Sequence, residues 1–174
     1  SSSHIEAITG MYESSMSGYY GDSLSWVDNL TTSYSTTNTI HMVVNGQNVS
    51  KYFEGYFIPA STRSYYFQTN SDDSSRVYIN DTLVVDNSGG HGTRARAGNY
   101  SMTFGESYKV RIYFGNAGTG DGDLRVFWSD TTNVLVDDLS SKLQLEDPNL
   151  WALDVSAYDS RVRALSPTAY YRMD

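Results

Sequence analysis

The sequence predicts an all-β chain, an antiparallel β-sandwich with long loops at one end. Three observations predict it: short runs that alternate apolar and polar residues, an aromatic content of 14% in which Tyr far outnumbers Phe and Trp, and Ser, Thr, Asn, Gly and Asp filling the intervals. β-Branched and aromatic side chains suit a pleated, half-buried surface, and the small polar residues supply turn conformations. A length of 174 residues holds one real core without disulfide or metal staples, so a single compact domain is the default.

Taken in order, residues 1–50 are weakly patterned, with Gly-Tyr-Tyr-Gly at 18–21 and a Thr/Ser/Asn-rich stretch from Asn29 to Thr39, and they predict one or two edge strands with long loops. The pattern sharpens at Tyr52, where Phe53, Gly55 and Phe57 alternate with Tyr52, Glu54, Tyr56 and Ile58 until Pro59 ends the run. After Ala60-Ser61-Thr62, a second run puts Tyr65, Phe67 and Thr69 on one face and Tyr66, Gln68 and Asn70 on the other. These two runs are expected to pair antiparallel. Arg76–Ile79 and Thr82–Val85 flank Asn80-Asp81, an interval that predicts a tight hairpin because both residue types tolerate positive φ.

Gly89, Gly90 and Gly92 around His91 make the stretch from Asp86 to Gly92 a loop. Strands resume at Asn99–Phe104 and at Tyr108–Phe114, and a second Gly-rich loop, Gly115 to Asp123, runs into Leu124–Trp128. Many short strands with turn chemistry between them favour a sandwich or barrel. Residues 1–9 read as a linker or expression scar and 10–145 as the sandwich. Beyond Leu145 the pattern is lost at Asp147-Pro148, and 146–174 reads as an extension that either packs on the sandwich or opens a further domain.

The formal net charge of −8, from 12 Lys plus Arg against 20 Asp plus Glu, argues against a nucleic-acid backbone or an anionic membrane and favours cations. The absence of Cys excludes a disulfide framework and zinc–thiolate sites. No stretch approaches the roughly 20 apolar residues that span a bilayer. His4, His41 and His91 are scattered without zinc spacing and read as surface or loop residues. Asn29, Asn48, Asn80 and Asn99 each begin an Asn-x-Ser/Thr sequon, a pattern that also arises by chance in Ser/Thr-rich chains.

The block from Phe53 to Asn87 resembles the domain family named after the anthrax protective antigen. The resemblance lies in the joint order of an aromatic-Gly-aromatic strand ending near Pro (Phe53, Gly55, Tyr56, Pro59), a Tyr-rich strand (Tyr65, Phe67), the Asp72-Asp73 pair, and a hairpin ending in Val84-Val85-Asp86-Asn87. Gly98, the Lys109–Tyr113 strand and the Gly-rich loop before Leu124–Trp128 fit the same order. Two positions depart from it: no Trp stands near Phe53, and Ser74 follows the Asp pair where Gly is common. The last residues, Ser166 to Asp174, resemble the opening strand of laminin-G-like domains.

The resemblance implies a β-sandwich and, in its lectin branch, calcium held by the Asp pair through a cis peptide bond. Asp72-Asp73-Ser74-Ser75 alone reads as a turn capped by its own side chains; the surrounding pattern favours metal. Consecutive strand residues point to opposite faces, so Asp72 and Asp73 reach one ion only across a distorted backbone. Calcium takes six to eight oxygen ligands, so the Gly-rich loop is expected to add Gly120 as a carbonyl donor and Asp121 or Asp123 as a third carboxylate. Sugar hydroxyls would complete the coordination, with Tyr66, Gln68, His91 and Asn116 on the rim. The expected function is a calcium-dependent glycan-binding module of an extracellular or cell-surface adhesin, monomeric within a longer chain. The alternative is a non-binding spacer in a multidomain secreted protein or glycosidase. No Ser/His/Asp pattern, nucleotide loop or isolated acid pair points to an enzyme.

Overall fold

The computed structural model describes residues 8–20, 23, 25, 35–118, 120–131 and 137–149. Its strands are β1 (Met11–Ser17), β2 (Ser35–Thr37), β3 (Met42–Val44), β4 (Val49–Phe57), β5 (Arg63–Asp72), β6 (Ser74–Ile79), β7 (Thr82–Asn87), β8 (Arg94–Met102), β9 (Tyr108–Asn116), β10 (Gly122–Ser129) and β11 (Asp137–Asp138). They form two antiparallel sheets, one in the order β2-β1-β4-β9-β6-β7 and the other β11-β10-β5-β8, with β3 also paired to β10. The fold is the all-β sandwich that the alternating pattern predicts.

Period-two alternation sets which residues face inward. Phe53 and Phe57 of β4 and Val110, Ile112 and Phe114 of β9 meet Tyr65 and Phe67 of β5 and Leu124 and Val126 of β10 in one core. Tyr52 and Tyr113 stack on the outer face of the first sheet, with ring centroids 5.2 Å apart. The hairpin falls at Asn80-Asp81, with Asn80 at φ +43.

One expected pairing is overturned. The Tyr52–Ile58 and Tyr65–Asn70 runs do not pair: β4 lies between β1 and β9, whereas β5 lies between β10 and β8 in the other sheet. The connection through residues 58–62 therefore passes from one layer to the other. A short link between alternating runs suits either arrangement, and burial of both apolar faces against each other favours the facing one.

The edges β7 and β8 approach so closely that a Cβ built on Gly98 would lie 1.9 Å from the Val84 carbonyl oxygen. At the end holding Phe57, residues 143–145 thread between β4 and the start of the described chain: Tyr56 and Gln144 exchange backbone hydrogen bonds, Gly10 N–H donates to Leu143 O, and Leu145 N–H donates to Ile8 O. Ser166 to Asp174, with their laminin-G-like resemblance, lie outside the described residues. Among the described residues no helix is long and apolar enough to cross a membrane.

Candidate functional site

The chain crosses from β5 in one sheet to β6 in the other at Asp72–Asp73, and the peptide bond joining them is cis. This corner lies at the end of the sandwich opposite residues 143–145. The Gly-rich loop 88–93 and residues 117–118 and 120–121 flank it.

Asp73 is buried and ties both loops to the corner: Oδ1 accepts from the His91 backbone N–H at 2.9 Å, and Oδ2 accepts from Ala117 N–H at 2.7 Å. Bonds from backbone amides to a carboxylate are charge-assisted and stronger than neutral ones. Beneath the corner, Ser71 Oγ donates to the Asp73 carbonyl at 2.8 Å and lies 2.6 Å from Ser75 Oγ, which donates to Thr69 Oγ1 at 2.9 Å. Asn87, fully buried at the end of β7, donates through Nδ2 to the Arg94 carbonyl at 2.9 Å and to Ser71 Oγ at 3.1 Å, and accepts from Arg94 Nε at 2.8 Å. This network fixes the backbone on which Asp73 and the His91 loop stand.

Asn116, at the end of β9, is 1% exposed. Its Nδ2 donates to the Gln47 carbonyl at 2.7 Å and the Gly120 carbonyl at 3.2 Å. Two carbonyl acceptors require the amino group there, so Oδ1 is the atom turned inward. That oxygen is buried without a donor. It would lie 2.6 Å from a Cβ at Gly122, and the Asp72 carbonyl oxygen would lie 2.9 Å from the same point, so only Gly at 122 keeps these oxygens together.

Asp123 of β10 stands directly across from Asp72 of β5. Its Oδ1 is also buried without a hydrogen bond; His41 Nε2 lies 3.6 Å away, too far for a hydrogen bond. Arg125 Nε lies 3.7 Å from the other oxygen. Burial, and then the Asp73 and Asp123 carboxylates, raise the Asp72 carboxyl above its ordinary value, against a lowering pull from His91. Crowded carboxylates of this kind favour a bound proton or a cation.

The expected site residues therefore divide. Asp72, Asp73, Asn116 and Asp123 gather at the corner, with Gly120 held by its carbonyl to Asn116, while Asp121 is exposed in the loop. His91 reaches the corner through its backbone; its ring nitrogens lie 2.8 Å from the Gly92 carbonyl and 2.9 Å from the Asn87 carbonyl. Tyr66 and Gln68 stand farther along β5, nearly buried, with Tyr66 Oη donating to Gln68 Oε1 at 2.6 Å. Among the described residues no three His, Cys, Asp or Glu side chains group so as to hold a metal. An ion here would draw on Asn116 Oδ1 and backbone carbonyls as well as carboxylates. The inward turn of Asn116 Oδ1, and the contacts of Asn87, His41 and Arg125 at the corner, are not evident from the sequence. Only Asn87 carried a signal, as the last residue of Val-Val-Asp-Asn.

The model of the PA14 domain matches residues 7–140. The chain belongs to the PA14 domain family. The PA14 sugar-binding domain from an RTX adhesin superposes with a TM-score of 0.65 at 16% identity, over 80% of this chain and 100% of that one. The Epithelial Adhesin 9 A domain of Candida glabrata, solved in complex with Galb1-4GlcNAc, gives a TM-score of 0.63 at 14% identity, over 80% and 90%. At these identities the two structures carry the PA14 fold alone. The probable beta-glucosidase I of Aspergillus clavatus is 36% identical over 81 residues, 41% of this chain and 10% of that protein. The chain thus spans about a tenth of the length of the curated relatives it matches.

Proposed function

We propose that this PA14 domain is a calcium-dependent glycan-binding module of an extracellular or cell-surface protein. The observation that carries the reading is the pair of buried acceptors without donors, Asn116 Oδ1 and Asp123 Oδ1, beside the Asp72–Asp73 carboxylates. A buried acceptor left unsatisfied costs roughly 1–3 kcal/mol, so two at one corner are better explained by a ligand than by packing. The donor set is all oxygen and mixes carboxylates with an amide, which fits a hard cation and not zinc.

Asp72, Asp73, Asn116 Oδ1 and nearby backbone carbonyls would hold the ion, which when bound supplies open coordination positions for vicinal sugar hydroxyls. Asp73 and its two amide bonds keep the loops at fixed distance from that position, and Gly122 leaves room for the oxygens. The sugar-binding PA14 domain and the adhesin complex among the structural neighbours support a glycan partner. The beta-glucosidase match supports the second reading, a non-catalytic spacer within a glycosidase, since it covers only 10% of that enzyme.

The test is thermal unfolding and glycan-array binding in calcium and in chelator. Calcium is expected to raise Tm and permit binding in wild type. Asp72→Asn, at a side chain with no hydrogen bond among the described residues, is expected to abolish both effects while keeping the chelator Tm. Equal binding of the same glycans in chelator, or by Asp72→Asn, would exclude the calcium mechanism.

A further inference from the structure

We infer that the glycan recognised at this corner carries an anionic substituent, received by the guanidinium of Arg125 with His41 beside it. The inference rests on the reading that a divalent cation and a sugar meet at the Asp72–Asp73 corner.

Cross-strand partners share a face of the sheet. Asp72 of β5, Asp123 of β10 and Val43 of β3 form one such row. The next row toward the middle of the sheet pairs Asn70 with Arg125. The intervening Ser71 and Leu124 are fully buried, so these rows face outward. Arg125 is 52% exposed, His41 46% and Val43 63%, and together they border the corner on the open face of the sheet.

Arg125 makes no hydrogen bond among the described residues, and its contact with Asp123 is at 3.7 Å. His41 likewise reaches Asp123 only at 3.6 Å. By contrast, Arg94 and Arg111 are committed: Arg94 to Asn87 and Ser88, Arg111 to Asp81 at 2.9 Å. A divalent cation at the Asp72–Asp73 carboxylates would draw the facing Asp123 carboxylate away from Arg125 and His41. The guanidinium would then be left beside the bound sugar with its planar fork open, the geometry that receives a carboxylate or sulfate through paired N–H bonds. The chain's net charge of −8 repels anions at long range, so an acidic glycan needs such a local pairing to be held.

The experiment is a glycan array presenting neutral glycans beside their uronate-, sialate- and sulfate-bearing counterparts, probed with the full chain in calcium and in chelator. Calcium-dependent signal confined to acidic members is expected, the arms identifying which anion. For a selected pair, calorimetry is expected to show the acidic glycan bound about tenfold tighter than the neutral one, as one charge-assisted contact gives. Arg125→Ala should erase that preference without changing the calcium-induced rise in Tm, and Arg125→Lys should restore part of it. Equal affinity for both members, binding of neutral glycans only, or an equal loss for both in Arg125→Ala would overturn the inference and leave the calcium-dependent reading standing. No signal on any glycan, with no calcium effect on Tm, would remove both.

Discussion

At the end of the sandwich where residues 8–10 and 143–145 come together, Phe57 meets Tyr65, Phe67 and Trp128 edge to face at 5.3–5.5 Å, with Lys142 Nζ 5.3 Å from two of the rings. Toward the opposite end the buried side chains include the polar Ser71, Ser75, Asn87, Asn116 and Asp73. The first end is closed by apolar area and backbone bonds, with Trp128 Nε1 buried there without a hydrogen-bond partner. The second has a complete polar network beneath the corner and incomplete acceptors at its surface. On the proposed function, stability and binding are separated along the long axis of the domain: the aromatic end anchors the chain, and the oxygen-rich end receives the ligand.

If that separation holds, the largest effects on folding should come from the aromatic end and leave the calcium response intact. Phe67→Ala is expected to cost about 3–5 kcal/mol in urea unfolding, because Phe67 is fully buried against Phe57. The difference in Tm between calcium and chelator should persist in any folded fraction. Gly98→Ala tests the seam between β7 and β8: with the Val84 carbonyl 1.9 Å from the new Cβ, strands must part, at about 1–3 kcal/mol or more, equally in both conditions.

Asn87→Leu sharpens the comparison from the other side. It strips donors from Ser71 and the Arg94 carbonyl and should cost roughly 1–3 kcal/mol. Unlike the two preceding variants, it is expected to shrink the calcium-induced rise in Tm, since the corner stands on that network. An undiminished rise would make Asn87 purely structural.

The smallest effect concerns pH. Bonds from Ser88, with the nearby Arg76, hold the Asp86 carboxyl below its ordinary value. A depressed folded-state pKa contributes stability that is present above the unfolded carboxylate value and is lost as pH falls through the lower, folded value. Asp86→Asn should therefore lower Tm slightly at neutral pH and not at strongly acidic pH, where the curves converge. Asp86 is half exposed, so the gap is expected to be small.

Much of the fold was legible from residue pattern alone. Tyr65, Phe67 and Thr69 face the core as their alternation required, and Asn80-Asp81 turns the hairpin. What alternation does not encode is which strands share a sheet: β4 and β5 carry similar patterns and a short link, yet lie in different layers. The geometry of the candidate corner was legible where neighbours in sequence make it, at Asp72 and Asp73, and illegible where distant backbone does. Asn116 turns its oxygen inward because Gln47, 69 residues away, offers a carbonyl to its amino group. Tyr66 and Gln68, expected on the rim, are hydrogen-bonded to each other.

The central claim is that the oxygens at the Asp72–Asp73 corner hold a cation. Crystals grown with calcium, examined by anomalous scattering, test it most directly. The account predicts one ion at the corner, with Asp72, Asp73 and Asn116 Oδ1 among its ligands at about 2.3–2.6 Å. Waters alone at the corner at saturating calcium, or an ion bound elsewhere with Asn116 Oδ1 still without a partner, would contradict it.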